Sequence, residues 1–175
     1  MTEQLPDRRS ASGLRARLAA SRPPVAEWLI GGLVWGGLIT LCIILSTYGL
    51  HRLPTAHRAT VLALYFSGAA LGWIAALPLI RFAGHSRPQE TRFAAAFLFL
   101  AGGTAAFTAL LFALQYRHFY AQWHEPFGTR IWLFQFAFTS ASAVYQFAVL
   151  GIRNYLPFGL ILLIGASILH ARRSR

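Results

Sequence analysis

The sequence predicts an all-α polytopic membrane protein, a transmembrane helix bundle with four crossings favoured, five possible, and no soluble domain. Of the 175 residues, 56% are hydrophobic and 12% are charged, which is not the composition of a soluble domain. The apolar residues are concentrated in long runs, and three of these exceed the roughly 20 residues that a helix needs to cross about 30 Å of hydrocarbon. The transmembrane helical domain is therefore predicted at residues 26–170.

Residues 1–25 are predicted to form a basic cytoplasmic tail. They contain five arginines against Glu3 and Asp7, and arginine tends to stay on the cytoplasmic side of a membrane. The apolar run that follows is too extended for an ordinary cleavable signal, so we expect the tail to be retained. A short amphipathic surface helix with Leu14 and Leu18 and a disordered tail are equal alternatives for this segment.

The first three helices are predicted from uninterrupted apolar runs, at about 26–50, 59–80 and 93–125. The third is extended to residue 125 because polar side chains continue its helical periodicity as far as Pro126. Pro78 is expected to end or kink the second helix.

Small residues recur four positions apart, at Gly32 with Gly36 and at Gly68 with Gly72. This spacing lets helix backbones approach closely. Packing within the bundle is the favoured interpretation, and an interface with a partner or a second copy is the alternative.

The last apolar stretch is too long for one span and is interrupted at Arg153, Asn154 and Pro157. It is predicted to form two helices, at about 131–152 and 155–170. The second is short enough to need tilt, bilayer thinning or a surface position.

The basic C-terminal tail, residues 171–175, favours an even number of crossings. Five crossings would place its arginines outside the cell, against the positive-inside tendency, whereas four would keep them in the cytoplasm. Two arrangements with four crossings remain open. In one the fourth helix crosses and the last lies along the inner surface; in the other the fourth is partly re-entrant and the last crosses.

Polar side chains follow one face of the third helix and one face of the fourth. Because consecutive helices joined by a short turn pack antiparallel, and polar faces in hydrocarbon seek each other, a polar seam is predicted between the two helices. Its members are Thr104, Thr108, Gln115, His118, Gln122 and Glu125 on the third helix, and Gln135, Thr139, Ser142, Gln146 and Arg153 on the fourth. Hydrogen bonding between the helices is the favoured role, and a path or pocket for a polar solute or lipid headgroup is the alternative.

Two histidine pairs share a six-residue spacing, His51 with His57 and His118 with His124, and Glu125 follows the second pair. These five residues are the metal-ligand candidates that the spacing suggests, but on a helix the ring of His124 would point away from that of His118. No metal site is predicted for that reason, and no cofactor is predicted. No catalytic residue is predicted, because no nucleophile with an adjacent base can be named.

The stretch from residue 116 to 130 is rich in aromatic side chains, which is typical of the belt at the outer headgroup level. The belt would consist of Tyr116, Phe119, Tyr120, Trp123 and Phe127, with Arg117 and Arg130 able to reach phosphates.

The net charge of +11 lies outside the apolar runs. It indicates contact with the bilayer and its anionic phospholipid headgroups, and not with nucleic acid. The expected location is the bacterial inner (cytoplasmic) membrane, with multiple passes and a cytoplasmic N-terminus.

Three functions are compatible with these features. The favoured one is a small accessory or scaffold subunit of a larger membrane complex, with other membrane-protein subunits or copies of itself as partners. A small transporter, channel or lipid-handling protein that uses the polar seam is the alternative. A membrane enzyme with a periplasmic metal site is the least favoured.

Overall fold

The computed structural model describes Arg15 and residues 17–19, 21–50 and 57–173. These residues form helices and no strand, so the predicted all-α bundle is confirmed. Among the described residues, four helices are long and apolar enough to cross a membrane. Most of the predicted N-terminal tail and the loop that contains His51 lie outside the described residues.

Within the described residues, five helices of 16 or more residues follow one another, and three of them continue into 3-10 or π-helical turns. They are α1 (Val25–Ile44, continued by a π-helical turn at Leu45–Gly49), α2 (Arg58–Gly84), α3 (Gln89–Tyr120, continued by a 3-10 turn at Ala121–Trp123), α4 (Arg130–Gln146, continued by a π-helical turn at Phe147–Gly151 and a 3-10 turn at Ile152–Tyr155) and α5 (Phe158–Arg173).

Pro78 lies inside α2 and does not end it, which excludes one of the two predicted alternatives, an end or a kink. A proline has no backbone N–H, so the carbonyl of the residue four positions earlier, Ile74, loses its helical donor. Trp28 of α1 replaces that donor, because its Nε1 donates to the Ile74 carbonyl oxygen at 2.5 Å. The helix therefore continues to Gly84.

The end of α3 also differs from the prediction. Regular helix stops at Tyr120, and His124 is extended, so Glu125 does not continue the helical face of His118. Pro126 disfavours helical backbone at Glu125, the residue before it, so the helix does not continue to the predicted last residue. At the other end of the chain, α5 extends to Arg173 and so includes part of the predicted C-terminal tail.

The four predicted packing glycines lie at contacts within the bundle. A Cβ at Gly36 would lie 2.9 Å from the carbonyl oxygen of Phe66, so α1 meets α2 there. A Cβ at Gly68 would lie 2.6 Å from the Cα of Thr108, and Gly72 meets α3 one turn further along. Gly32 contacts α2 at Ala70 and Ile74. These glycines bring three helices into backbone contact.

The last helix, α5, packs inside the bundle beside α1 and α3 and does not lie along a surface. Ser167 and Ala171 are both buried, so the packing continues to the end of the helix. Leu156, just before α5, contacts Ser46 near the end of α1, whereas His170 lies with Glu27 at the start of α1. Thus α5 runs antiparallel to α1, and its C-terminal end lies where α1 begins.

The fourth helix begins beside the end of α3, where the backbone N–H of Glu125 donates to Oε1 of Gln135 at 2.9 Å. From there α4 and α5 together run to the end of the bundle where α1 begins, through a break between Phe147 and Phe158. The chain therefore passes along the bundle an even number of times, which agrees with the four crossings favoured by the sequence.

Candidate functional site

The break between α4 and α5 frees backbone groups inside an apolar bundle. It consists of the π-helical and 3-10 turns after α4, and a second π-helical turn, Leu45–Gly49 of α1, lies against it. Such turns depart from the regular helical pairing, and in hydrocarbon every freed carbonyl must find a donor within the protein.

Tyr65 of α2 supplies one of these donors. Its hydroxyl donates to the carbonyl oxygen of Gly151 at 2.8 Å and accepts from Nδ2 of Asn154 at 3.1 Å. The side chain is 1% exposed, and its ring packs edge-on against those of Tyr155 and Phe112. Tyr65 therefore holds both the backbone and a side chain of the break.

A chain of hydrogen bonds leads from Tyr155 into α3. The Tyr155 hydroxyl donates to Oγ1 of Thr108 at 3.0 Å, and that oxygen donates its own proton to the carbonyl of Thr104 at 2.7 Å. Trp35 of α1 donates from Nε1 to Oγ1 of Thr104 at 3.0 Å. Ser46 completes the set by donating to the carbonyl oxygen of Leu156 at 3.2 Å.

We call these side chains the break network: Trp35, Ser46, Tyr65, Thr104, Thr108, Asn154 and Tyr155. They come from α1, α2, α3 and the break itself. Their polar groups are hydroxyls, an indole N–H and an amide, which are neutral at ordinary pH. The network therefore supplies hydrogen-bond partners to the freed backbone groups and fixes the geometry of the break.

One polar atom of the break network has no hydrogen-bond partner among the described residues. Oδ1 of Asn154 is buried and has no donor within the described part of the chain. Beside the network lies a cavity of about 200 Å³, between α1, α3 and α5. Its lining is apolar apart from Thr104 and Tyr155, whose hydroxyls are engaged in the network.

The residues of the predicted polar seam do not all lie together in the structure. Thr104 and Thr108 are buried and face α2, at Gly72 and Gly68, and not α4. The reason is steric, because only glycines opposite them let the threonine-bearing backbone approach α2 so closely.

The remaining seam residues do not continue that buried line. Gln135 and Thr139 are half-buried on α4, and the Thr139 hydroxyl bonds to carbonyls of its own helix. The others are exposed: Gln115, His118, Gln122, Glu125, Ser142, Gln146 and Arg153.

The histidines do not converge in the described residues. Within Arg15, 17–19, 21–50 and 57–173, no group of three histidine, cysteine, aspartate or glutamate side chains is placed to hold a metal ion. His57 and His118 are exposed, and His124 is half-buried.

Arg117, in the predicted aromatic belt, packs against α4. Its guanidinium carbon lies 4.4 Å from the ring centroid of Phe136 and 5.3 Å from that of Trp132. Such cation–π contacts stabilise by about 0.5 to 2 kcal/mol. Arg117 therefore links the end of α3 to α4.

Sequence reasoning missed the roles of Tyr65, Asn154 and Tyr155. The interruption at Asn154 and Pro157 did indicate a break. No local pattern connects it to Tyr65, which lies 89 positions from Asn154.

Comparison with known proteins adds no relative, since no protein-family model, curated protein or solved structure significantly matches the chain.

Proposed function

We propose that this protein is a small accessory subunit of a larger membrane complex and that another polypeptide packs against α4. The observation that supports the proposal is the uncovered outer face of α4. Only 11% of the residues in the apolar part of this span are buried, against 33% in the spans of α1 and α2 and 22% in that of α3.

The outer face of α4 carries both large aromatic and polar side chains. Phe138 and Tyr145 are 70% and 68% exposed, and Ser142 and Gln146 beside them are also exposed. The opposite face, with Phe136, packs toward α3 through the contact with Arg117. The residues of the outer face recur three or four positions apart, so they form one continuous strip along the helix.

A glutamine and a serine that face lipid require hydrogen-bond partners, and polar side chains of this kind join transmembrane helices to each other. We therefore identify the partner as a transmembrane helix that carries a hydrogen-bonding side chain opposite Gln146. Each such contact stabilises association by about 0.6 to 2 kcal/mol.

The accessory-subunit function is better supported than a transporter or a metal enzyme. A transporter that uses the predicted seam would need a continuous polar line, and Thr104 and Thr108 are separated from it by facing α2. A metal enzyme would need converging ligands, and His118 and His124 supply no such group among the described residues.

The proposal is tested by placing a photo-crosslinking amino acid at Phe138 or Tyr145 in native membranes. We expect one polypeptide to be captured from both positions, with the crosslink in one of its transmembrane helices. Gln146→Leu should reduce the yield about fivefold, as expected for the loss of a contact worth about 1 kcal/mol.

The matched controls are on α3. A crosslinker at Leu98, which is 66% exposed, should capture no such partner, and Gln115→Leu should leave the yield from Tyr145 unchanged. Equal capture from Leu98, or adducts that contain only two copies of this chain, would contradict the accessory-subunit proposal.

We also propose that the protein resides in the bacterial inner membrane with both ends in the cytoplasm. The support is electrostatic, because Arg22, Arg81 and Arg172 lie at the end of the bundle where α1 begins and α5 ends. Topology reporters fused to the N-terminus and after Arg175 should both report the cytoplasm. A periplasmic signal from both would reverse the orientation, and opposite signals would contradict an even number of crossings.

A further inference from the structure

A groove separates α1 from α5 in the half of the bundle where α1 begins. Its volume is about 600 Å³. The side chains along it are mostly aliphatic, and the polar ones are confined to one end; the lining is Ala26, Glu27, Ile30, Gly31, Val34, Trp35, Leu38, Trp73, Leu162, Gly165, Ala166, Leu169 and His170.

Small residues keep the groove open. A Cβ at Gly165 would meet no atom within 4 Å, so this position of α5 faces open space. On the opposite wall a Cβ at Gly31 would lie 2.6 Å from Nε1 of Trp73, so the Trp73 indole occupies the place of a side chain there. Trp73 thus forms part of the inner wall of the groove, which is apolar apart from its indole N–H, a group with no acceptor among the described residues.

Charged groups gather at the end of the groove where α1 begins. Glu27 forms an ion pair with Arg81 of α2, and the ring of His170 lies 5.3 Å from that of Trp73, centroid to centroid. Arg172 is exposed and follows Leu169 by three positions, so it lies one turn further along the groove-facing side of α5. With Glu27 paired to Arg81, Arg172 gives this end a positive charge.

We infer that the groove binds one acyl chain of an anionic phospholipid, with its phosphate beside Arg172 and His170. The apolar length and the cationic end match the two parts of such a lipid, and arginine at the membrane surface attracts anionic headgroups. The volume is within the range of about 300 to 1,000 Å³ found for small-molecule sites. The site lies on α1 and α5, so it does not depend on the partner proposed for α4.

Filling the groove tests the inference. Purified protein is incubated with phosphatidylglycerol or phosphatidylcholine, delipidated by detergent washing and examined by native mass spectrometry. The wild type should retain one phosphatidylglycerol per chain, and Gly165→Leu should reduce this retention at least tenfold. Gly102→Leu is the matched control, because Gly102 is also exposed on a helix with no atom within 4 Å of an added Cβ, and it should retain lipid like the wild type.

The headgroup contact is tested separately with Arg172→Gln, a change at an exposed position that is not expected to disturb folding. It should lower the preference for phosphatidylglycerol over phosphatidylcholine at least threefold. The inference would be overturned if Gly165→Leu retained as much lipid as Gly102→Leu, or if the wild type retained the two lipids equally. It would also be overturned if Gly165→Leu changed the oligomeric state and not the lipid content.

Discussion

Gly72→Ala is expected to destabilise the protein by about 1 to 3 kcal/mol, the range for overpacking a tight contact. The added Cβ would lie 2.6 Å from the backbone nitrogen of Thr104 and 2.7 Å from the carbonyl carbon of Gly103. Backbone atoms cannot turn aside as a side chain can, so α2 and α3 would have to separate. The free energy of unfolding in mixed micelles measures the loss.

Gly102→Ala is the control for this experiment. It makes the same chemical change in the helix that faces Gly72, but its Cβ would meet no atom within 4 Å. Because alanine favours helix over glycine by about 1 kcal/mol, this variant should be as stable as the wild type or slightly more so. If both variants had the same stability, the close contact between α2 and α3 would be refuted.

Tyr65→Phe is expected to loosen the break between α4 and α5. The change removes the hydrogen bond to the Gly151 carbonyl, which is buried, and the acceptor of the Asn154 amide, which is partly buried. Buried groups without partners cost about 1 to 3 kcal/mol, so we expect a loss of stability in that range. Hydrogen exchange of the amides between Phe147 and Tyr155 should become faster.

Tyr145→Phe provides the matched comparison, because it removes the same hydroxyl from a side chain that is 68% exposed. Its unfolding free energy and its exchange at the break should remain close to those of the wild type. Equal acceleration of exchange in the two variants would show that the hydroxyl of Tyr65 does not hold the break.

The fold was largely predictable because bilayer thickness limits helix length. Apolar runs long enough to cross indicated three helices directly, and the basic C-terminal residues favoured an even number of crossings. The boundaries were less accurate where a distant residue compensates a local defect. Trp28 keeps α2 helical past Pro78, and this compensation depends on a contact between positions 28 and 74.

The candidate site was predictable only in part. The polar residues of α3 were recognised by their periodicity, but periodicity does not say which neighbour a face meets. Thr104 and Thr108 face α2 because Gly72 and Gly68 leave room for them there. The prediction that they face α4 relied on sequence adjacency alone.

The sequence by itself determined that this protein is a membrane helix bundle, because the composition and length of each apolar run are local properties. It also marked the interruption near Asn154 and Pro157. Only the tertiary structure decided that Tyr65 holds this break, that the outer face of α4 is uncovered and that a groove separates α1 from α5. These features depend on which helix faces lie together, and that is decided by packing between residues far apart in the chain.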